Sequence, residues 1–400
     1  MYKKEIVRTG IPFYPVIGNH DHEAYLKGDH ESASGYRLRM GPENYAFYLG
    51  KDIVIVLDNV LYDTNFKMTY GYTDECIAWV RELLKTVPAG ADVYVAQHVP
   101  FGHRIKRMKN ATQLVEMLRG RKVTFITGHN HENTIYTIEK NMTDHNVASI
   151  CGAWWESLYC TDGTPRGYKV LSKHAGKLSW YYKPVDYSKK HIAEAYGIGQ
   201  TKSHPNSVVV NVWDWDDAWK VEWYEDGIYM GEMDRVTAKS PLFTKEIIEA
   251  YKGRTISDYK KPAPAQHYFA ATPSQYAKHV TVSVENPFGK SWVYDVDMSE
   301  YVDVQAHRGG AGLMPENTIE AVKHALDMGV NTLVSRFNTV SPDTGAYFQA
   351  FVNPPVYGIY NDNNADAFPI KYDSPQLYGF GNSYGNPYAR AQYNDSKSQG

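Results

Sequence analysis

Three apolar runs in the first third of the chain each deliver histidine into a polar turn, and this repetition constrains the fold more than any other feature. Ile11 to Ile17 empties into Gly18-Asn19-His20-Asp21-His22-Glu23, Ala91 to Ala96 ends in Gln97-His98, and Val123 to Thr127 ends in Gly128-His129-Asn130-His131. Short apolar runs bounded by turn residues read as buried strands. Open α/β sheets gather ligands beyond the carboxyl ends of their strands. The three loops are therefore expected to share one metal-binding edge.

Between these runs the chain alternates in period. Residues 52–57, with Ile53-Val54-Ile55-Val56 at their centre, read as another buried strand. Thr73 to Val87 reads as a helix: Thr73 can cap it, Asp74 and Glu75 suit its first turn, and Ile77, Val80, Leu83 and Leu84 form an apolar stripe. Pro88 and Gly90 stop it. Ala111 to Leu118 repeats the pattern and ends before Gly120. Strand and helix in alternation over residues 1–155 predict a mainly parallel, layered sheet.

From about residue 133 the pattern becomes β-rich. Strands are expected over 134–139, 146–150, 167–171 and 177–182, followed by a linker over 184–205. Further strands over 206–213, 219–223, 227–230, 280–285 and 291–296 make an all-β module within 156–300, with one helix-like run over 243–251. At 301–336 a short strand enters Ala306-His307-Arg308-Gly309-Gly310, and Pro315-Glu316-Asn317-Thr318 opens a helix through Met328, with Asn317 or Thr318 as cap. Beyond Asn331 regular organisation is expected to stop. Residues 337–400, dense in Asn, Tyr, Gly, Pro and Ser, read as a low-order tail without a core.

At 400 residues the chain exceeds one typical domain. Its formal net charge of -3 gives no electrostatic case for nucleic acid or a membrane surface as partner. No apolar run reaches transmembrane length, and Met1-Tyr2-Lys3-Lys4-Glu5 lacks the apolar core of a signal peptide. Cys151 and Cys160 can pair across a loop, but three buried thiols, Cys76 included, is the preferred reading.

The imidazoles of His98, His129 and His131, with the amide oxygen of Asn19, form a nitrogen and oxygen set suited to one or two divalent ions. His20 cannot share Asn19's direction, so protonation of a leaving oxygen or stabilisation of a transition state suits it. Asp21 is expected to accept a hydrogen bond from His20 and fix its tautomer. His22 and Glu23 either support the site or lie on the surface. The set is short of negative charge, which hard divalent ions prefer. Asp58, Asp63 and Asp92 are available, yet none sits in a motif demanding that role.

Gly18-Asn19-His20-Asp21, His98 and Gly128-His129-Asn130-His131 together resemble the later motifs of the calcineurin-like metallophosphoesterases over residues 11–155. Gly152-Ala153-Trp154-Trp155 is similar to the stretch downstream of Gly-His-x-His in one bacterial branch. The resemblance implies two divalent ions (Mn, Fe, Zn or Mg), with Asn19, His98 and His129 on the second, His131 on the first, and His20 with Asp21 as the acid pair. It also implies two earlier motifs, an Asp-x-His and a Gly-Asp, and the ten residues ahead of Ile11 hold neither Asp nor His. The expected fold is α/β: an incomplete calcineurin-like α/β/β/α sandwich, then an all-β module, then a truncated (β/α) barrel fragment. Hydrolysis of phosphate monoesters or diesters is expected to be impaired.

Residues 156–300 resemble the β-rich carboxy-terminal portion of the same bacterial branch. There Trp213, Trp215, Trp219 and Trp223 either fill a core or line a glycan-binding face, with core preferred. Residues 306–318 resemble the opening of the glycerophosphodiester phosphodiesterases, which makes His307, Arg308 and Glu316 a second candidate site. The acidic pair expected after the helix is replaced by Asn331-Thr332-Leu333, and the remaining length cannot complete a barrel of about 250 residues. The implied substrate is small, phosphorylated or envelope-derived, and a longer parent would be exported or periplasmic. The rival reading is a catalytically inactive binding or structural protein that works through its aromatic β module.

Overall fold

The computed structural model describes residues 8–252, 254–274 and 277–298, and beyond those only 305–307, 313, 318–327, 332–337 and 359–361. In chain order the first part contains helices α1 (Asp29–Ser32) and α2 (Ser34–Met40), strands β1 (Tyr45–Leu49), β2 (Asp52–Val56), β3 (Val60–Tyr62) and β4 (Met68–Tyr70), helix α3 (Asp74–Thr86), strand β5 (Val93–Ala96), helix α4 (Ala111–Leu118), and strands β6 (Val123–Thr127), β7 (Thr134–Glu139) and β8 (Met142–Asn146). Six of the strands form one sheet in the order β1-β2-β5-β6-β8-β7. The central pairs β2–β5, β5–β6 and β6–β8 are parallel, whereas β1 and β7 close the two edges antiparallel. The expectation of a mainly parallel layered sheet holds.

Both long helices form for the reasons legible in their residues. Thr73 accepts the Cys76 N–H at 3.1 Å and so caps α3, with Asp74 and Glu75 against the helix dipole. Ile77, Val80 and Leu84 of α3 and Leu114, Val115 and Leu118 of α4 then pack with Ile53, Val93, Val95 and Phe125 in one core.

The first expected strand does not form. Residues 11–17 run extended but unpaired, because Pro12 and Pro15 have no N–H to give a ladder. The segment is pinned beside β1 instead, by a stack of Tyr14 on Phe47 at 3.8 Å and a hydrogen bond from the Tyr45 hydroxyl to Pro15 O at 2.8 Å. The strand expected at 146–150 is displaced to 142–146, where it pairs in parallel with β6 up to Thr127↔Asn146.

The β-rich part begins with a hairpin of β9 (Gly167–His174) and β10 (Lys177–Pro184), turned at Ala175-Gly176 with positive φ at both residues. The expected linker contains β11 (Ala193–Tyr196). Next come β12 (Val208–Val212), β13 (Lys220–Glu225), β14 (Ile228–Glu232), β15 (Asp234–Ala238), helix α5 (Pro241–Ala250), β16 (Ala265–Ala271), β17 (His279–Glu285) and β18 (Ser291–Asp297). They make two four-stranded antiparallel sheets, β11-β12-β16-β15 and β14-β13-β17-β18. Val210, Val212, Trp219, Trp223, Val282 and Val284 are buried in the core they share. β15 and β16 escaped the sequence reading because polar Asp, Arg, Gln and His interrupt their alternation.

Farther on lie β19 (Gln305–His307), α6 (Ile319–Asp327), β20 (Thr332–Phe337) and β21 (Ile359–Asn361), with β19 parallel to β20 and β20 parallel to β21. Thr318 caps α6, its hydroxyl accepting the Ala321 N–H at 3.1 Å. Regular structure therefore continues past Asn331, against expectation. The mixed α/β architecture has several sheets, and among the described residues no closed barrel forms. No described helix is long and apolar enough to cross a membrane.

One buried ion pair locks the hairpin to the two-sheet module. Lys169 of β9 lies 2.8 Å from Asp214, just past β12, with side chains 0% and 3% exposed. Removing one partner strands the other charge away from water. Lys169→Met alone is expected to cost about 3–5 kcal/mol in urea unfolding, and adding Asp214→Leu to recover much of that loss.

Candidate metal-binding site

The loops after β5 and β6 leave the sheet at the same height, since the parallel register pairs Val95 with Phe125 and Ala96 with Ile126, and Gly128 N–H then donates to His98 O at 2.9 Å. Asn19 reaches them from the turn after residue 17. His98 Nε2 lies 2.8 Å from Asn19 Oδ1, His129 Nδ1 lies 3.2 Å from the same oxygen, and the two ring nitrogens are 3.1 Å apart. Three polar atoms from three loops thus form a closed triangle. Gly18 lets the turn approach closely: a Cβ there would sit 3.0 Å from the His98 ring and push it aside by a few tenths of an ångström.

Burial pushes both rings to low basicity. His98 and His129 are each lowered to about 4, by desolvation first; His20 charge then acts on His98, and His98 charge on His129. Both are neutral at pH 7 and offer lone pairs. The Tyr70 hydroxyl meets the other nitrogen of His129 at 3.3 Å. As acceptor from Nε2–H, it leaves the Nδ1 lone pair on the triangle. Nothing in the sequence pattern marked Tyr70.

His131 stands apart from the triangle. Its Nδ1–H donates to Gly152 O at 2.7 Å, and its ring stacks on Trp154 at 4.1 Å with an interplanar angle of 12°. Its basicity is also lowered, chiefly by burial. His20 is exposed, and its charge acts on His98, His129 and His131 alike. Next to His131, Glu132 is pushed up to about 7, by burial first and then by Asp162.

Asp21 does not orient His20. Its carboxylate folds back on its own turn and accepts Gly18 N–H at 2.8 Å, so the expected acid pair is not hydrogen-bonded. His22 is buried, bonded through Nδ1 to Ser32 Oγ at 2.9 Å and facing Asp58 Oδ2 at 3.3 Å; Glu23 accepts from Tyr25 and Ser34. The three spare carboxylates are committed elsewhere. Asp58 faces His22, Asp63 closes its own turn onto Asn65 and Lys67, and Asp92 holds Lys173 at 2.7 Å.

Of the second candidate site, Arg308 and Glu316 lie outside the described residues, as does the His307 side chain. Trp219 and Trp223 belong to the core of the β module with Trp215 packed against it, and Trp213 fills a separate cluster with Ala148, Cys160 and Tyr182. Trp213, Trp219 and Trp223 are 1%, 8% and 9% exposed, and Trp215 lies under the Arg235 guanidinium at 3.8 Å. These four do not make a glycan-binding face. All three cysteines are free thiols, with Cys151 only partly buried.

The donor set fits part of a metal shell. Cis ligands about 2.1 Å from one ion stand about 3 Å apart, close to the edges of the Asn19–His98–His129 triangle. Among the described residues no carboxylate touches it, and no group of three or more His, Cys, Asp or Glu side chains is arranged to hold a metal. A complete two-ion centre therefore does not fit these residues; one face of a single-ion shell does.

The family model described as the C terminal of calcineurin-like phosphoesterase matches residues 144–292, from within β8 to within β18. Over those residues, well under half of the chain, the protein is similar to the C-terminal part of calcineurin-like phosphoesterases. No curated protein matches the chain.

The low basicity of the two triangle histidines sets a pH dependence. Unfolded, each protonates near 6.5; folded, each stays neutral until about pH 4. The unfolded state therefore binds more protons across that window, and stability falls as pH drops from about 6.5 to about 4, by an amount on the order of 2–3 kcal/mol per ring. Urea unfolding from pH 7 to pH 4.5 is expected to show this slope, and the His98→Asn/His129→Asn double variant to flatten it.

Proposed function

We propose that this protein is a metal-dependent phosphoric ester hydrolase of the calcineurin-like kind, acting on small phosphate monoesters or diesters with a reduced ligand set. The observation that carries the reading is the closed triangle of Asn19 Oδ1, His98 Nε2 and His129 Nδ1. Such close approach of three neutral donors, two of them kept unprotonated by burial, suits a cation between them better than it suits their mutual hydrogen bonding. Asn19, His98 and His129 would hold one divalent ion, with His131 as a further donor. When bound, that ion supplies Lewis acidity for a phosphoryl oxygen.

The protein's own groups divide the remaining work. Arg104, which donates to Asn130 Oδ1 at 2.9 Å, fixes the loop between the two histidines. His20, exposed and within electrostatic range of all three rings, is suited to hand a proton to a leaving oxygen. Missing carboxylates leave the positive charge of an ion poorly balanced, so affinity and turnover should be modest. The same deficit supports a second reading, an inactive binding protein that keeps the fold and part of the site.

Hydrolysis of p-nitrophenyl phosphate and of its bis ester with added Mn²⁺, Zn²⁺ or Mg²⁺ separates the two. The expected result is weak, metal-dependent turnover that falls at least tenfold in His129→Ala and about a hundredfold or more in His20→Ala, whose metal affinity is retained. A flat profile with every metal would leave the inactive binding protein standing.

A further inference from the structure

Nine non-glycine residues among those described have positive φ, and four of them, His129, His131, Trp154 and Trp155, stand at or beside the candidate site. Trp154 at φ 50° and Trp155 at φ 66° are consecutive, a placement that bulky L residues adopt at a cost of about 1–2 kcal/mol each. Trp155 does not offset this by burial, since it is 78% exposed. The strain instead accompanies what Trp154 does: it lies flat on His131 at 4.1 Å.

The same turn grips His131 at a second point. Gly152 O accepts a hydrogen bond from Nδ1–H at 2.7 Å. Gly152 itself has φ +61°, and a Cβ there would come within 2.3 Å of Ser157 O, so only glycine can put its carbonyl in that position. Beyond His131, Trp154 is braced from the sequence-distant 251–260 segment. Tyr259 meets it edge-on at 5.0 Å, and Lys260 Nζ lies 5.9 Å from its ring. Lys260 is held in turn by Glu156 and by the Tyr251 hydroxyl, each at 2.9 Å.

We infer that Trp154 is a positioning residue for His131. Its ring face and the Gly152 carbonyl together hold the imidazole as the single Nδ1–H tautomer, leaving Nε2 as its lone-pair nitrogen. This assignment rests on the reading of His131 as a donor in the proposed site. A carbonyl bonded to one imidazole nitrogen sets the tautomer and prepares the other to bind a cation. The flat face adds what the hydrogen bond lacks, a barrier to rotation about the bond joining ring and Cβ.

Two-bond ¹H–¹⁵N correlation spectra of the ¹⁵N-histidine-labelled full chain at pH 7, with and without Zn²⁺, test this directly. The wild-type protein should show His131 as one tautomer, protonated at Nδ1, before metal is added; an averaged pattern there would overturn the inference without recourse to any variant. Trp154→Leu keeps apolar bulk but loses the flat face. It should give an averaged or exchange-broadened His131 and at least a tenfold weaker Zn²⁺ affinity, whereas Trp154→Phe should restore both. Should Trp154→Leu leave the His131 pattern unchanged, or Trp154→Phe match it in both readouts, Trp154 is packing and nothing more. A fixed Nδ1–H tautomer in a chain that binds no Zn²⁺ would uphold the clamp and sink the metal site instead.

Discussion

The parallel register between β5 and β6 is the constraint on which the site depends. Ala96 pairs with Ile126, so both strands end at one height and the chain must release His98 and Gly128-His129 side by side. The Gly128 N–H to His98 O bond carries the ladder one step past the strands and ties the two loops together. A slip of one residue in that register would turn His98 and His129 to opposite faces of the sheet. Asn19 then needs no strand of its own to join them. It needs only a turn that fits against the His98 ring, and Gly18 with the Asp21 carboxylate on its N–H supplies one.

Electrostatics explains why the triangle stops short of a full centre. Burial makes the two imidazoles good neutral ligands, yet neutrality leaves an ion's charge uncompensated. The acidic groups able to balance it serve the fold. Asp58 faces the buried His22, and Asp92 with Asp52 holds Lys173 of β9 against the sheet. Moving Asp58 into the site would strand the buried His22, which costs more than a surface ion pair returns.

Much of this arrangement was legible in the residues. The helix over 74–86 follows from Thr73, two early acids and a periodic stripe, and the strands before His98 and Gly128 follow from unbroken β-branched and aromatic runs. Where local chemistry and long-range pairing disagreed, reading by period failed. Residues 11–17 look as apolar as any strand here, but two prolines deny them a ladder. Asp21 sits beside His20 in sequence, and yet the nearer Gly18 N–H claims its oxygen. Tyr70 lies 59 residues from His129 and carries no local signal of the contact. Residues 332–337 looked unorganised because a parallel partner, β19, lies far upstream and no alternation announces it.

The β-rich part is no appendage to the sheet that bears the histidines. Thr161 N–H donates to His131 O at 3.1 Å, and Asp162 Oδ2 accepts Asn133 N–H at 2.7 Å, so two adjacent residues of the matched C-terminal domain hold the backbone on both sides of Glu132. Asp162 is anchored in turn: His267 Nε2 lies 3.2 Å from its carboxylate, and the Tyr268 hydroxyl donates to its main-chain carbonyl at 2.9 Å. Both residues belong to β16, an interior strand of its sheet, where a buried hydrogen-bonded network resists displacement. The histidine loop therefore takes its rigidity from two sources, the parallel sheet beneath it and the antiparallel module beside it. Strained backbone at His129 and His131 is tolerable only where surroundings fix it from more than one direction, and the C-terminal domain provides the second direction.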